Sequence, residues 1–216
     1  NYFINNTKMK QMKTVILDFE TSGLNPYHDD VIEIAMKVLD SSEQFTCLLK
    51  PKSNECISQT ITALTRITNK MLVKDGLPWS EAYQSMNAWL FGVKGEDDKI
   101  SIVSHNGESF DFIFLKRMLS DLKGLKIKPF PIHKVILSDT LPLAKRLISG
   151  RTTYRQQTLC QQYDIVTEGS HRALNDVIAL EKLYVVLTTK LHEELGKRRK
   201  PIDNPQMIHD YIHFKN

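Results

Sequence analysis

A mixed α/β fold follows from three features of the 216-residue sequence. Three short strand patterns come first, joined by turns too brief to hold a helix; a long helical stretch follows; strand and helix patterns then alternate to the end. The short turns predict an antiparallel meander, because parallel neighbours need a crossover of about a dozen residues or more. The later alternation predicts parallel strands covered by helices. The expectation is a five-stranded mixed sheet, meander first and parallel strands after, flanked by helices.

Each element has its own local cause. Val15, Ile16 and Leu17 centre a first strand over residues 13–18, and strands over 31–39 and 45–50 follow. Asn25-Pro26 and Asp40-Ser41-Ser42 supply the turns between them. Helical signal then runs from about residue 58 to 91. Within it Pro78-Trp79-Ser80-Glu81 marks a helix start, and Tyr83, Met86, Trp89 and Leu90 recur at the spacing of one buried face. A fourth strand over 100–104 passes through His105-Asn106-Gly107 into a helix with Phe112, Leu115 and Leu119 on one side. A fifth over 135–137 leads through Ser138-Asp139-Thr140 into a helix around 141–148. The last helix starts near His171 and carries Leu174, Val177, Ile178, Leu180, Leu183, Tyr184 and Leu187. The expected organisation is one domain over residues 14–190, with an N-terminal extension (1–13) and a basic C-terminal extension (191–216) packed on it.

Bulk chemistry narrows the classes. Twenty-nine Lys and Arg against 25 Asp and Glu leave a net charge of +4, compatible with a polyanionic partner. The run Lys197-Arg198-Arg199-Lys200 can contact phosphates or serve as a nuclear import signal, although short runs of this kind are commonly solvated helix ends. Cys47, Cys56 and Cys160 are odd in number and far apart, which indicates neither a disulfide framework nor a zinc site and fits a reducing compartment. No stretch approaches the roughly 20 apolar residues that span a bilayer, and residues 1–13 lack the apolar segment of a signal peptide. A soluble, intracellular protein without a membrane partner is expected.

The chemistry concentrates in acidic residues. On a strand, Asp18 and Glu20 lie two apart and share a face. Carboxylates held side by side either raise a pKa or share a cation. Taken singly, these acids have ordinary explanations: Asp18 and Glu20 as exposed charges, Asp111 as a helix cap, Asp176 as one solvated helix position. Together they belong to three blocks in order. Asp18-Phe19-Glu20-Thr21 follows a strand, His105-Asn106-Gly107-Glu108-Ser109-Phe110-Asp111 joins a strand to a helix, and His171-Arg172-Ala173-Leu174-Asn175-Asp176 opens a helix.

In these blocks the chain resembles the DnaQ-like (DEDDh) 3′-to-5′ exonucleases of the DEDD superfamily, over about residues 14–187. That resemblance implies a ribonuclease H-like sheet. It implies metal ligands at Asp18, Glu20, Asp111 and Asp176 and a general base at His171, the five catalytic residues. Thr21 and Leu24 fall where the family positions the 3′-terminal nucleotide, and Asn106 and Phe110 where it lines the nucleotide cleft. Residues 61–68 resemble the helical region beside the terminal base.

Elementary chemistry supports the same assignment. All-oxygen ligands select a hard cation, so two Mg²⁺ or Mn²⁺ ions are expected rather than Zn²⁺. A metal pair can hold the attacking and leaving oxygens of a displacement at phosphorus, and imidazole exchanges a proton near neutral pH. On a continuous helix His171 and Asp176 would lie roughly 140° apart. His171 is therefore expected at the frayed start or in the preceding loop.

The favoured substrate is DNA, single-stranded or frayed at its 3′ end, because Asp139-Thr140-Leu141-Pro142-Leu143-Ala144 and Gln157-Thr158-Leu159-Cys160 look like the matching stretches of proofreading exonucleases. RNA is the alternative for the same site. An inactive nucleic-acid-binding scaffold is the third reading; it predicts a lost ligand, and none of the five is lost. A polymerase or a second copy of the chain is the expected protein partner.

Overall fold

A computed structural model describes residues 12–94, 99–167, 171–196 and 205–213. The basic run at 197–200 and most of the N-terminal extension lie outside them. The sheet contains β1 (Lys13–Thr21), β2 (Val31–Val38), β3 (Gln44–Leu48), β4 (Ile100–Ser104) and β5 (Val135–Asp139), in the order β3-β2-β1-β4-β5. β1 and β2, and β2 and β3, pair antiparallel, whereas β1 and β4, and β4 and β5, pair parallel. The mixed sheet is the one expected from the connection lengths.

The first strand runs three residues past its expected end. Phe19 still pairs with Ile34 and Glu20 with Glu33, and the register then slips between Glu20 and Thr21 in a bulge. The carboxylate pair thus lies inside the central strand, held by backbone pairing, rather than beyond it.

Among the described residues the helices are α1 (Gln59–Thr65), α2 (Asn69–Asp75), α3 (Trp79–Val93), α4 (Asp111–Gly124), α5 (Thr140–Leu147), α6 (Gln156–Gln162), α7 (Ala173–Gly196) and α8 (Pro205–His213). The helical stretch expected over 58–91 is three helices. The Ser58 and Thr68 hydroxyls accept from the N–H groups of Ile61 and Met71 and cap α1 and α2, while left-handed Arg66 (φ 60°) ends α1. α6 has no sequence signal of its own; it is one short polar stretch whose Leu159 and Cys160 are buried in the cluster that also holds α7. α7 continues through the expected boundary at residue 190 and runs to Gly196.

Strand parity sorts the core into two layers. Val15, Leu17 and Phe19 of β1 join Met86, Leu90, Phe114 and Leu115 of α3 and α4 on one side. Ile16 of β1 and Ala35 of β2 join Val177, Leu180, Leu183 and Leu187 of α7 on the other. Residues 18 and 20 share Ile16's parity and therefore face the α7 layer, as do 33 and 37 on β2 with Ala35. α8 closes back beside β5, burying Ile208 and Ile212 in the same cluster. Among the described residues no helix is long and apolar enough to cross a membrane.

Candidate active site

Three of the expected acids converge where β1 meets the start of α7. One carboxylate oxygen each from Asp18, Glu20 and Asp176 lies within 4.8 Å of the others. Asp18 and Glu20 arrive by strand parity, and Asp176 from the first turn of α7. Asp111 comes from the opposite layer as the first residue of α4. Its Oδ1 accepts the Phe19 N–H at 3.2 Å and its Oδ2 accepts the Ser104 hydroxyl at 2.6 Å. Asp111 is thus fastened to the ends of β1 and β4 just beside the other three.

Burial and mutual repulsion dominate the electrostatics. Burial holds the Asp18 carboxyl well above its ordinary range, helped by the charges of Asp111, Glu20 and Asp176. Burial and the Asp176 charge push Glu20 up to about 8. Asp111 is raised to about 6 by burial, against the lowering pull of its bonds from Ser104 and Phe19. Asp176 is also raised by burial, opposed by the His171 N–H. Such a group of acids is not fully ionised near neutral pH unless positive charge joins it. An all-oxygen, charge-surplus donor set of this kind fits hard divalent cations.

A stability prediction follows from the sign of these shifts. An acid whose folded pKa is raised binds more protons folded than unfolded, so its contribution to stability falls as pH rises between the two values. For Glu20 that window runs from 4.5 to about 8. The metal-free protein is expected to melt at progressively lower temperature across it, and millimolar Mg²⁺ or Mn²⁺ to restore more of the loss at pH 8 than at pH 5. Melting curves in EDTA and in metal across that range check this; a flat metal-free profile would contradict the electrostatics.

His171 stands two residues ahead of α7 with φ 67°, off the helix as its angle to Asp176 requires. Its backbone N–H donates to Asp176 Oδ2 at 2.8 Å. Its Nε2 lies 3.2 Å from the Gln157 side-chain amide of α6. Gln156 Nε2 donates to the Asp176 carbonyl at 2.9 Å. The two glutamines of α6 thus hold the histidine and the aspartate of the last motif from outside.

The expected substrate-binding residues stand around the cluster rather than in it. The Thr21 hydroxyl donates to the Gly23 carbonyl at 2.6 Å. Leu24 is 81% exposed on a loop that is tied down at both ends. Asp29 Oδ2 accepts the Asn25 N–H at 2.6 Å, and Arg117 Nη1 donates to the Pro26 carbonyl at 2.8 Å. Gly23 approaches Asp29 so closely that a Cβ there would fall 2.3 Å from the carboxylate. Asn106 is exposed and left-handed (φ 64°), and Asp139 accepts the N–H groups of Asn106 and Glu108 at 2.8 and 3.0 Å. Phe110 is half-buried with its ring edge-to-face against Phe114. His105 bonds Thr140 Oγ1 and the Tyr154 carbonyl, both at 2.8 Å, and so supports the loop.

Ser104, Asp139, Gln157 and Glu33 shape the site without having been assigned a role in it from sequence. Asp139 and Gln157 lie in stretches that stood out only by their likeness to proofreading exonucleases, and Glu33 left a trace of its own, as a carboxylate inside the apolar strand Val31-Ile32-Glu33-Ile34-Ala35.

Comparison with known proteins agrees with the geometry. A family model described as exonuclease, RNase_T, matches residues 15–184. The PolC-type DNA polymerase III of Mycoplasma pneumoniae is 32% identical over 181 residues, 82% of this chain and 12% of the polymerase. Exonuclease DPD1 of Arabidopsis thaliana, chloroplastic/mitochondrial, is 28% identical over 198 residues, 87% of this chain and 60% of that protein. The chain therefore spans only part of these relatives. Among solved structures, zinc-bound E. coli ExoI with single-stranded DNA superposes with a TM-score of 0.69 at 17% identity, covering 88% of this chain and 44% of that one.

Proposed function

We propose, from the premise that this chain belongs to the RNase_T family of exonucleases, that it is a metal-dependent 3′-to-5′ exonuclease that shortens DNA at single-stranded or frayed 3′ ends and releases nucleoside monophosphates. The observation that carries this reading is the convergence of Asp18, Glu20 and Asp176 within 4.8 Å, beside Asp111.

Asp18, Glu20, Asp111 and Asp176 would hold two divalent cations, Mg²⁺ or Mn²⁺ by the hardness of their oxygens. A bound pair supplies Lewis-acid polarisation of the phosphate and stabilises the charge that develops on the attacking and leaving oxygens. The chain's own residues do the rest. His171 takes the proton of the attacking water, with Gln157 fixing the ring. Asp111 is kept in place by Ser104 and Phe19. Leu24, carried on its tied loop, wedges against the terminal base, and Thr21 positions the terminal sugar; Asn106 and Phe110 line the strand's path.

DNA as substrate is supported by the DNA-polymerase relatives and by the DNA bound to ExoI. A polymerase beside the domain is the partner those relatives favour.

Digestion of matched 5′-labelled single-stranded DNA and RNA with Mg²⁺, Mn²⁺ or EDTA tests the proposal. A ladder shortening from the 3′ end of DNA and lost in EDTA is expected. Faster loss of RNA would move the substrate, and intact polymers in every metal would overturn the activity.

A further inference from the structure

A fifth carboxylate stands against the four. Glu33 is the cross-strand partner of Glu20, only 6% exposed, and its charge adds to the repulsion on Asp18, Glu20 and Asp176. An apolar side chain could cover the same seam between β2 and α7 without loading more negative charge on an overloaded site. What the carboxylate does instead is bind the start of α7 at several points. Arg172 Nε lies 3.2 Å from each Glu33 oxygen and Nη2 lies 2.7 Å from Oε1. The Ala173 N–H, one of the unsatisfied donors opening α7, gives Oε2 a further bond at 3.0 Å.

We propose that Glu33 and Arg172 form a positioning clamp, which fixes the first turn of α7 on β2 so that His171 and Asp176 meet Asp18 and Glu20. Residue order carries the argument. Arg172 lies between His171 and the first residue of α7, and Asp176 follows one turn later. Glu33 is paired in register with Glu20. One bidentate pair therefore ties the last motif to the first at the point where their side chains must converge, and a bidentate guanidinium fixes orientation as well as distance. Neither residue needs to touch substrate.

The same seam holds an internal control. Further along, Lys37 Nζ lies 2.5 Å from Glu181 Oε1, with both side chains 14% exposed. That pair also joins β2 to α7, four residues beyond Glu33 on β2 and five beyond Asp176 on α7.

The clamp rests on the exonuclease reading only for its kinetic test. Arg172→Gln and Glu33→Gln are each expected to lower kcat on 5′-labelled single-stranded DNA by about 10²-fold, the scale of an ångström-sized misplacement, with KM little changed. The double variant should be no slower than the slower single, because the pair acts as one unit. Arg172→Lys should recover only part of the loss, since an ammonium keeps the charge but not the fork. Lys37→Gln should lower Tm comparably and leave kcat in place. In the metal-free protein, the His171 imidazole NMR signals should shift in Glu33→Gln, which reaches His171 only through Arg172 and the start of α7, and not in Lys37→Gln. Equal kcat losses in the Lys37 and Arg172 variants, or unmoved His171 signals, would overturn the clamp. If the unaltered protein cleaves nothing, the exonuclease reading fails by itself and the His171 signals still decide the clamp.

Discussion

Asp18→Asn is expected to lower turnover of single-stranded DNA by about 10³-fold or more while raising the melting temperature of the metal-free protein. On the proposed mechanism the first effect is the loss of a ligand oxygen charge. Stabilisation of transition-state charge by bound cations is worth several kcal/mol, and each ~1.4 kcal/mol is tenfold in rate. The second effect has the opposite sign because Asp18 is half-buried, and desolvation together with the charges of Asp111, Glu20, Asp176 and Glu33 opposes its ionisation. An amide of the same size keeps the packing and removes the repulsion. Activity and stability thus move in opposite directions, as they do where a site is strained for its function. Rates on a labelled oligonucleotide and melting curves in EDTA measure both. If Asp18→Asn is inactive and also less stable without metal, then Asp18 is a structural residue, held by bonds that the carboxylate alone can make.

The other large effect falls on His171. With His171 as the proposed general base, His171→Asn is expected to lower kcat by about 10²–10⁴-fold and to leave DNA binding and Mn²⁺ binding near their original strength. Asparagine is the informative replacement because residue 171 has φ 67°, a conformation asparagine tolerates and alanine does not. The backbone N–H then still reaches Asp176 Oδ2, so the metal side of the site survives the substitution. Fluorescence anisotropy with labelled DNA and Mn²⁺ titration measure the two affinities. A variant that loses Mn²⁺ affinity in step with kcat would mean that residue 171 acts by holding Asp176 and not by moving a proton.

The site was legible in the sequence to the extent that its chemistry is carried by residue type and local spacing. Asp18 and Glu20 two apart in a strand, Asp111 opening a helix, and His171 too far around a helix from Asp176 to share its face are all local statements, and each matches the described structure. The element order was legible for the same reason, since runs such as Val15-Ile16-Leu17 and turns such as Asp40-Ser41-Ser42 act within a few residues. The division of 58–91 into three helices was hidden because its stops depend on the caps Ser58 and Thr68 and on left-handed Arg66. α6 was hidden because its polar start has no periodicity apart from the burial of Leu159 and Cys160.

By itself, then, the sequence determined which groups exist, in what order, and on which face of each strand or helix they fall. Only the tertiary structure decided which of them meet. The bond from Phe19 to Asp111 spans 92 residues and that from Arg172 to Glu33 spans 139. Contacts of that span leave no periodicity in the chain. They follow from the register of β1 on β2 and the packing of α7 against the sheet, where hydrophobic burial summed over the whole domain overrides local preference and brings distant acids close enough to raise one another's pKa.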